Sequence, residues 1–290
     1  MTDSTADGPD PVVSLDWLAD HLADPGVRVV DVRDAWEYDG IGHVPGAVSI
    51  PFDSFRAGTH AAENDEDGDG RDDETGEAGM FPGADVWADL MDGAGIGEDD
   101  TLVAYDDTHG VFAARFLVTA EHYGHEDVRL LDGDFSAWSR ERGVSREGAD
   151  IQPGEGYAVG DPVNDPLVDY GTVSEALDDP DTVVVDTREA WEYEEGHLPG
   201  AVQIDWRELV NEETRGLRDD DDLRALLEER GITPDRRVLL YCNTARRISH
   251  TYVVLRHLGY PNIAFYEGSL TEWERRGGPL ETETTGEDDD

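Results

Sequence analysis

The stretch Val29-Val30-Asp31-Val32-Arg33-Asp34-Ala35-Trp36-Glu37-Tyr38 returns later in the chain as Val184-Val185-Asp186-Thr187-Arg188-Glu189-Ala190-Trp191-Glu192-Tyr193. A matching turn follows each copy, Gly42-His43-Val44-Pro45-Gly46-Ala47-Val48 and then Gly196-His197-Leu198-Pro199-Gly200-Ala201-Val202. Further on, Leu131-Asp132-Gly133 with Trp138 is answered by Tyr266-Glu267-Gly268 with Trp273. The chain is two copies of one domain. The Pro/Gly/Asp-rich stretch from Gly148 to Asp169 reads as the linker between them.

Within each copy, short apolar or β-branched runs alternate with helical patterns. Val27 to Val32, Leu102 to Tyr105 and Val128 to Leu131 are the runs of the first copy; Thr182 to Val185, Val238 to Tyr241 and Ile263 to Phe265 are those of the second. Runs this short, without polar alternation, predict parallel strands buried on both faces, and so an α/β fold. Open sheets of this kind bind ligands beyond the carboxyl ends of their strands. Cys242, the only cysteine, sits at such an end, between Val238-Leu239-Leu240-Tyr241 and Asn243-Thr244-Ala245-Arg246-Arg247. A strand feeding a helix start aims backbone N–H groups and the positive end of the helix dipole into the turn. With two arginines alongside, that environment favours a thiolate nucleophile over a buried cysteine acting as a small apolar side chain.

Asp and Glu number 69 against 22 Lys and Arg, a formal net charge of -47, and every base is arginine. Phosphate neutralisation needs clustered positive charge, so this balance argues against nucleic acid and against anionic membranes as partners. It resembles the composition of proteins from salt-loaded cytoplasm, such as haloarchaeal ones, where screening shortens self-repulsion. Disorder is opposed by 38% hydrophobic content and seven Trp in patterned runs. One cysteine excludes an intrachain disulfide, and no zinc-type cluster is present. Without a signal-like N-terminus or an apolar run long enough to span a bilayer, a cytoplasmic protein is expected.

The duplication serves as an internal control, because residues common to both copies serve the shared fold, whereas residues confined to one copy are candidates for chemistry. Asp31/Asp186 and Arg33/Arg188 are shared and read as loop-bracing charge pairs; His43/His197 read as turn or packing residues. At the Cys242 position the first copy has Asp106, so that copy cannot supply a thiolate. The first copy also carries extra chain, Ala61 to Met80, within which Asp65-Glu66-Asp67-Gly68-Asp69-Gly70 begins like a calcium loop. Gly76 stands where the twelfth-position Glu would be, so a solvated acidic insertion is expected there.

The repeated Asp-x-Arg, the His-x-Pro-Gly-Ala turns and a cysteine loop confined to the second copy resemble the tandem-domain rhodaneses of the thiosulfate sulfurtransferase type. The resemblance implies two similar domains, each a parallel five-stranded sheet flanked by helices. On it, residues 12–143 form an inactive N-terminal domain with an acidic insertion at about 57–80, 144–169 a linker, 170–282 the catalytic domain, and 283–290 an acidic tail. The family's six-residue loop maps onto Cys242-Asn243-Thr244-Ala245-Arg246-Arg247. Cys242 would be the nucleophile, and the other five, with Arg115 from the first copy, would bind substrate. Trp206 would wall the pocket, with Trp87 a second candidate and plain core the alternative for both, while Asp186 and Arg188 support the loop. Ala245 departs from the family's commoner glycine and asks the backbone to tolerate a Cβ.

The implied reaction moves the sulfane sulfur of thiosulfate through a Cys242 persulfide to cyanide, a small thiol or a sulfur-carrier protein, with no metal or organic cofactor. Three other readings remain open. Mercaptopyruvate-type enzymes usually show Cys-Gly-Ser/Thr-Gly-Val-Thr, unlike this loop. A phosphatase expects five residues between Cys and Arg, whereas four separate Cys242 from Arg247. A persulfide carrier without turnover needs the same nucleophile.

Overall fold

The computed structural model describes residues 10–58, 79–154 and 156–282. The acidic run at 65–76 and the tail at 283–290 lie outside them. Two compact units are found among the described residues, the first comprising 10–165 together with Asn211–Leu217, the second Pro166–Val210 with 218–282.

The first unit contains β1 (Val12–Ser14), α1 (Leu15–His21), β2 (Val27–Asp31), α2 (Ala35–Gly40), β3 (Val48–Ser49), α3 (Ala84–Ala94), β4 (Thr101–Tyr105), α4 (Val111–His122), β5 (Val128–Asp132) and α5 (Phe135–Glu141). Its strands form one parallel sheet in the order β1-β5-β4-β2-β3. The second unit contains α6 (Tyr170–Ala176), β6 (Thr182–Asp186), α7 (Ala190–Glu195), β7 (Val202–Gln203), α8 (Asp220–Glu229), β8 (Arg237–Tyr241), α9 (Arg246–His257), β9 (Ile263–Phe265) and α10 (Ser269–Arg275). Its sheet, also parallel, runs β7-β6-β8-β9.

The second sheet thus has four strands where the resemblance implied five. The counterpart of β1 survives as a single bridge from Leu167 to Phe265, with Phe265 N–H donating to Pro166 at 2.7 Å and Val168 N–H to Phe265 at 3.1 Å. β9 has three residues against the five of β5, and Phe265 alone is bridged on that side, its N–H donating to Pro166 as that of Leu130 does to Pro11 in the first unit.

Both sheets are buried on both faces, as their unbroken apolar runs require. Register is conserved between the copies: Asp31 lies opposite Tyr105 and Asp186 opposite Tyr241. In each unit the Asp–Arg pair is buried at a strand end, Asp31 with Arg33 at 2.6 Å and Asp186 with Arg188 at 2.7 Å. Each arginine also donates to the following turn, Arg33 to the Gly42 carbonyl and Arg188 to that of Gly196. Burial works against the Arg188 charge, but Asp186 outweighs it and the net shift is upward. His43 and His197 stack on Tyr38 and Tyr193 at 3.8 and 3.7 Å, which is the packing role expected of them.

Trp87 is fully buried against Phe116 and Tyr123 in the core of the first unit. The stretch expected as a linker is not a free tether. Its amides at Gly154 and Tyr157 bond to Asp92, that of Ala158 to Glu98, and Ser145 bridges to His43, all within the first unit. Among the described residues no helix is long and apolar enough to cross a membrane, and no group of three His, Cys, Asp or Glu is arranged to hold a metal ion.

Candidate active site

β8 ends at Tyr241, the loop follows at once, and α9 begins at Arg246. Cys242 is 1% exposed and carries no disulfide. The start of α10 fastens the loop from behind. The Cys242 amide donates to Ser269 Oγ at 3.2 Å, the Cys242 carbonyl accepts from Leu270 N–H at 2.9 Å, and the Asn243 carbonyl accepts from Thr271 Oγ1 at 2.9 Å. Ala245 caps α9 in the left-handed region at φ +61°, the conformation that glycine adopts without strain. Among the described residues, the amides of Asn243, Thr244 and Ala245 have no acceptor in the protein.

The first unit shows what such a turn does to an anion. There the Asp106 carboxylate takes the place of the thiol and accepts four backbone N–H bonds, from Thr108, Gly110, Phe112 and Ala113, at 2.7 to 3.0 Å. Burial pushes the Asp106 carboxyl up, and those four bonds oppose the shift. Successive backbone N–H groups at a helix start form an anion nest. In the second copy the group in this position is a sulfur.

Two loop side chains turn to a residue that sequence reasoning did not select. Asn243 Nδ2 donates to Glu192 Oε1 at 2.9 Å, and the Arg247 guanidinium forms a two-pronged ion pair with the same carboxylate, its second N–H reaching Oε1 at 3.0 Å. Glu192 is 9% exposed. Burial works against its charge, but the hydrogen bonds from Arg247, the Glu189 amide and Asn243, together with the Arg247 charge, outweigh it and hold the carboxyl at about 2. The only hint in the sequence was that Glu192 recurs as Glu37. Ser269, equally missed, stands where the first copy has Asp134.

Cys242, Asn243, Thr244 and Ala245 therefore form the loop, and Arg246 and Arg247 follow in the first turn of α9. Asp186 and Arg188 brace the end of the neighbouring strand β6, and Gln203 Nε2 donates to the Arg188 carbonyl at 2.8 Å. Trp206, 8% exposed, lies edge-on to His250 of α9 with ring centres 5.4 Å apart. Arg115 belongs to the first unit, buried on α4 with its guanidinium 4.1 Å from the Phe81 ring centre.

The sequence profile of the rhodanese-like domain matches residues 14–141 and 169–276. The chain is 33% identical to the sulfur carrier protein TtuD of Thermus thermophilus, over 91% of this chain and 94% of that protein. It is likewise 33% identical to a thiosulfate sulfurtransferase of Corynebacterium glutamicum, over 91% and 88%. The solved anaerobic ergothioneine biosynthesis enzyme from Chlorobium limicola, in complex with trimethyl histidine, superimposes with a TM-score of 0.79 over 94% of this chain and 70% of that one. At 18% identity that likeness speaks for the fold alone. With both copies matched along nearly their whole length, the chain belongs to the rhodanese-like domain family, carrying the domain in tandem.

Proposed function

We propose that the protein is a sulfurtransferase whose nucleophile is Cys242, and that thiosulfate is its sulfur donor. The Cys242 thiolate attacks the outer sulfur of thiosulfate, the S–S bond of the donor breaks, and sulfite leaves with the bonding pair. The enzyme then holds a persulfide anion, Cys–S–S⁻. Cyanide or a thiolate attacks the terminal sulfur and restores the Cys242 thiolate, so one difficult transfer becomes two easier ones. The observation that carries this reading is the internal comparison at the strand end. The strand-to-helix turn that holds a carboxylate by four N–H bonds at Asp106 has a counterpart, one residue shorter, that presents a thiol at Cys242, and a nest suited to an anion suits both a thiolate and a persulfide.

The donor's sulfonate end would take the loop amides and the guanidinium groups of Arg246 and Arg247, the latter in competition with Glu192. Asp186 and Arg188 keep the neighbouring strand end in place, and Trp206 closes off α9. A second reading is favoured by the likeness to TtuD: the persulfide forms but is handed to a partner protein instead of turning over with a small acceptor.

Intact-mass spectrometry after exposure to thiosulfate, in concentrated KCl, tests the common step. A gain of about 32 Da on the wild type, absent in Cys242→Ser, is expected for a persulfide. No gain on the wild type overturns the proposal. Steady-state thiocyanate formation from thiosulfate and cyanide then favours the enzyme, and a stable persulfide without turnover favours the carrier.

A further inference from the structure

Glu192 does one job in both copies and a second job in only one. In each unit the glutamate closes a capping box at the start of a short helix, Glu37 reaching back to the Asp34 amide at 3.3 Å and Glu192 to the Glu189 amide at 3.1 Å. That shared role belongs to the scaffold. The bonds from Asn243 and Arg247 occur only in the cysteine-bearing copy. In the first copy Asp107 stands in the place of Asn243, and its charge adds to the burial that pushes Glu37 up. One sequence position thus carries a carboxylate hydrogen-bonded to the guanidinium of the following helix start where the thiol is, and one that feels Arg33 only through space where it is not.

The electrostatics of the loop give this arrangement a purpose. Arg246 and Arg247 lie in the first turn of α9, where the helix dipole is itself positive and disfavours cations. Arg247 also feels the charge of Cys242 directly. Its guanidinium is thus held by the Glu192 carboxylate in the helix turn that directly follows the Cys242 loop.

We propose that Glu192 is a positioning residue that sets both the shape and the charge of the Cys242 loop: by holding Asn243 and Arg247 on one carboxylate, it withdraws a guanidinium charge from the sulfur and from an incoming anionic donor. The inference rests on the sulfur-transfer reading for its meaning. It makes Glu192 a specificity residue, weakening the grip on a doubly charged donor and easing departure of the anionic product.

The test uses the fact that Cys242 is the only cysteine, so that alkylation of the whole protein by iodoacetamide reads this sulfur alone. Rates are measured across pH at constant KCl for wild type, Glu192→Gln, Arg247→Gln and the double variant. Glutamine keeps acceptor and shape at position 192 and removes the charge. The expected result is that Glu192→Gln moves the midpoint of alkylation to lower pH, by at least about threefold in thiolate fraction on the acid side, and that Arg247→Gln moves it the other way. The double variant, which removes both charges, returns close to the wild type. In parallel, Glu192→Gln lowers the KM for thiosulfate by about threefold or more without raising kcat.

A purely structural glutamate would raise KM or lower kcat and leave the alkylation midpoint where it was. An unmoved midpoint in folded Glu192→Gln, or shifts of the same sign in the two single variants, overturns the proposal. Should Glu192→Gln not fold, Arg247→Gln against the double variant measures the same coupling, and no difference between them overturns it equally. Failure of sulfur transfer itself shows separately, as a wild type that is alkylated normally yet never gains sulfur.

Discussion

Ser269 Oγ accepts the amide N–H of Cys242 at 3.2 Å, and Ser269 is itself held at φ +49°, fully buried, with its hydroxyl donating onward to the Tyr266 carbonyl at 2.8 Å. A single hydroxyl thus links the candidate nucleophile to the strand that follows it. Ser269→Ala leaves the Cys242 amide without an acceptor in a dry site, a loss of about 1–3 kcal/mol. Chemical denaturation should read that loss, and persulfide formation should slow as the loop loses its anchor. An unchanged midpoint would mean the hydroxyl carries no weight.

Ala245 asks for the opposite change. Its φ of +61° is a conformation an L residue adopts at a cost of roughly 1–2 kcal/mol, offset in part by the extra chain entropy a glycine gives the unfolded state. Ala245→Gly should therefore stabilise the second unit by up to about 1 kcal/mol, seen as a higher Tm at fixed salt. A lower Tm would show that the methyl group's packing outweighs the strain.

Asp106 is the structural counterpart of the nucleophile, and its removal is expected to cost stability rather than activity chemistry. Asp106→Ala strips the acceptor from four backbone N–H groups in a buried turn. The expected loss is on the order of 3 kcal/mol or more. Asp106→Asn, which keeps one acceptor oxygen, should lose less. Equal losses for the two would argue that water fills the turn.

Glu192 predicts a pH dependence with a definite sign. Its folded-state value of about 2 lies below the ordinary 4.5, so the folded protein resists protonation where the unfolded chain accepts it. The stability it contributes is fully present above about pH 4.5 and is lost as the pH falls toward about 2. Urea midpoints of wild type and Glu192→Gln should differ by a constant amount above that window and converge through it. Curves that stay parallel down to pH 2 would contradict the pairing with Arg247.

Much of this was legible in the chain because it is local or repeated. The duplicated Asp-x-Arg segments give two copies of a buried, doubly braced strand end, and the apolar runs give parallel strands, since both signals are written within a few residues. The cysteine loop was legible for the same reason: Tyr241 ends a strand and Arg246 starts a helix, so Cys242 falls in the turn between them.

What needed three dimensions was pairing over distance. Glu192 and Arg247 are 55 positions apart and meet only because β6 and β8 are neighbours in the sheet. Arg215, at φ +67°, pairs with Asp134 and Asp107, which is why residues 211–217 belong with the first unit rather than with the copy they are written in.

Composition and repetition alone determined that there are two like α/β units, one with a thiol and one with a carboxylate at the same strand end, because hydrophobic period and residue identity act along the chain. Only the tertiary structure decided which charges surround that thiol. Electrostatic partners are chosen by proximity in space, and the carboxylate that holds the loop arginine is brought to it by strand order, not by sequence separation.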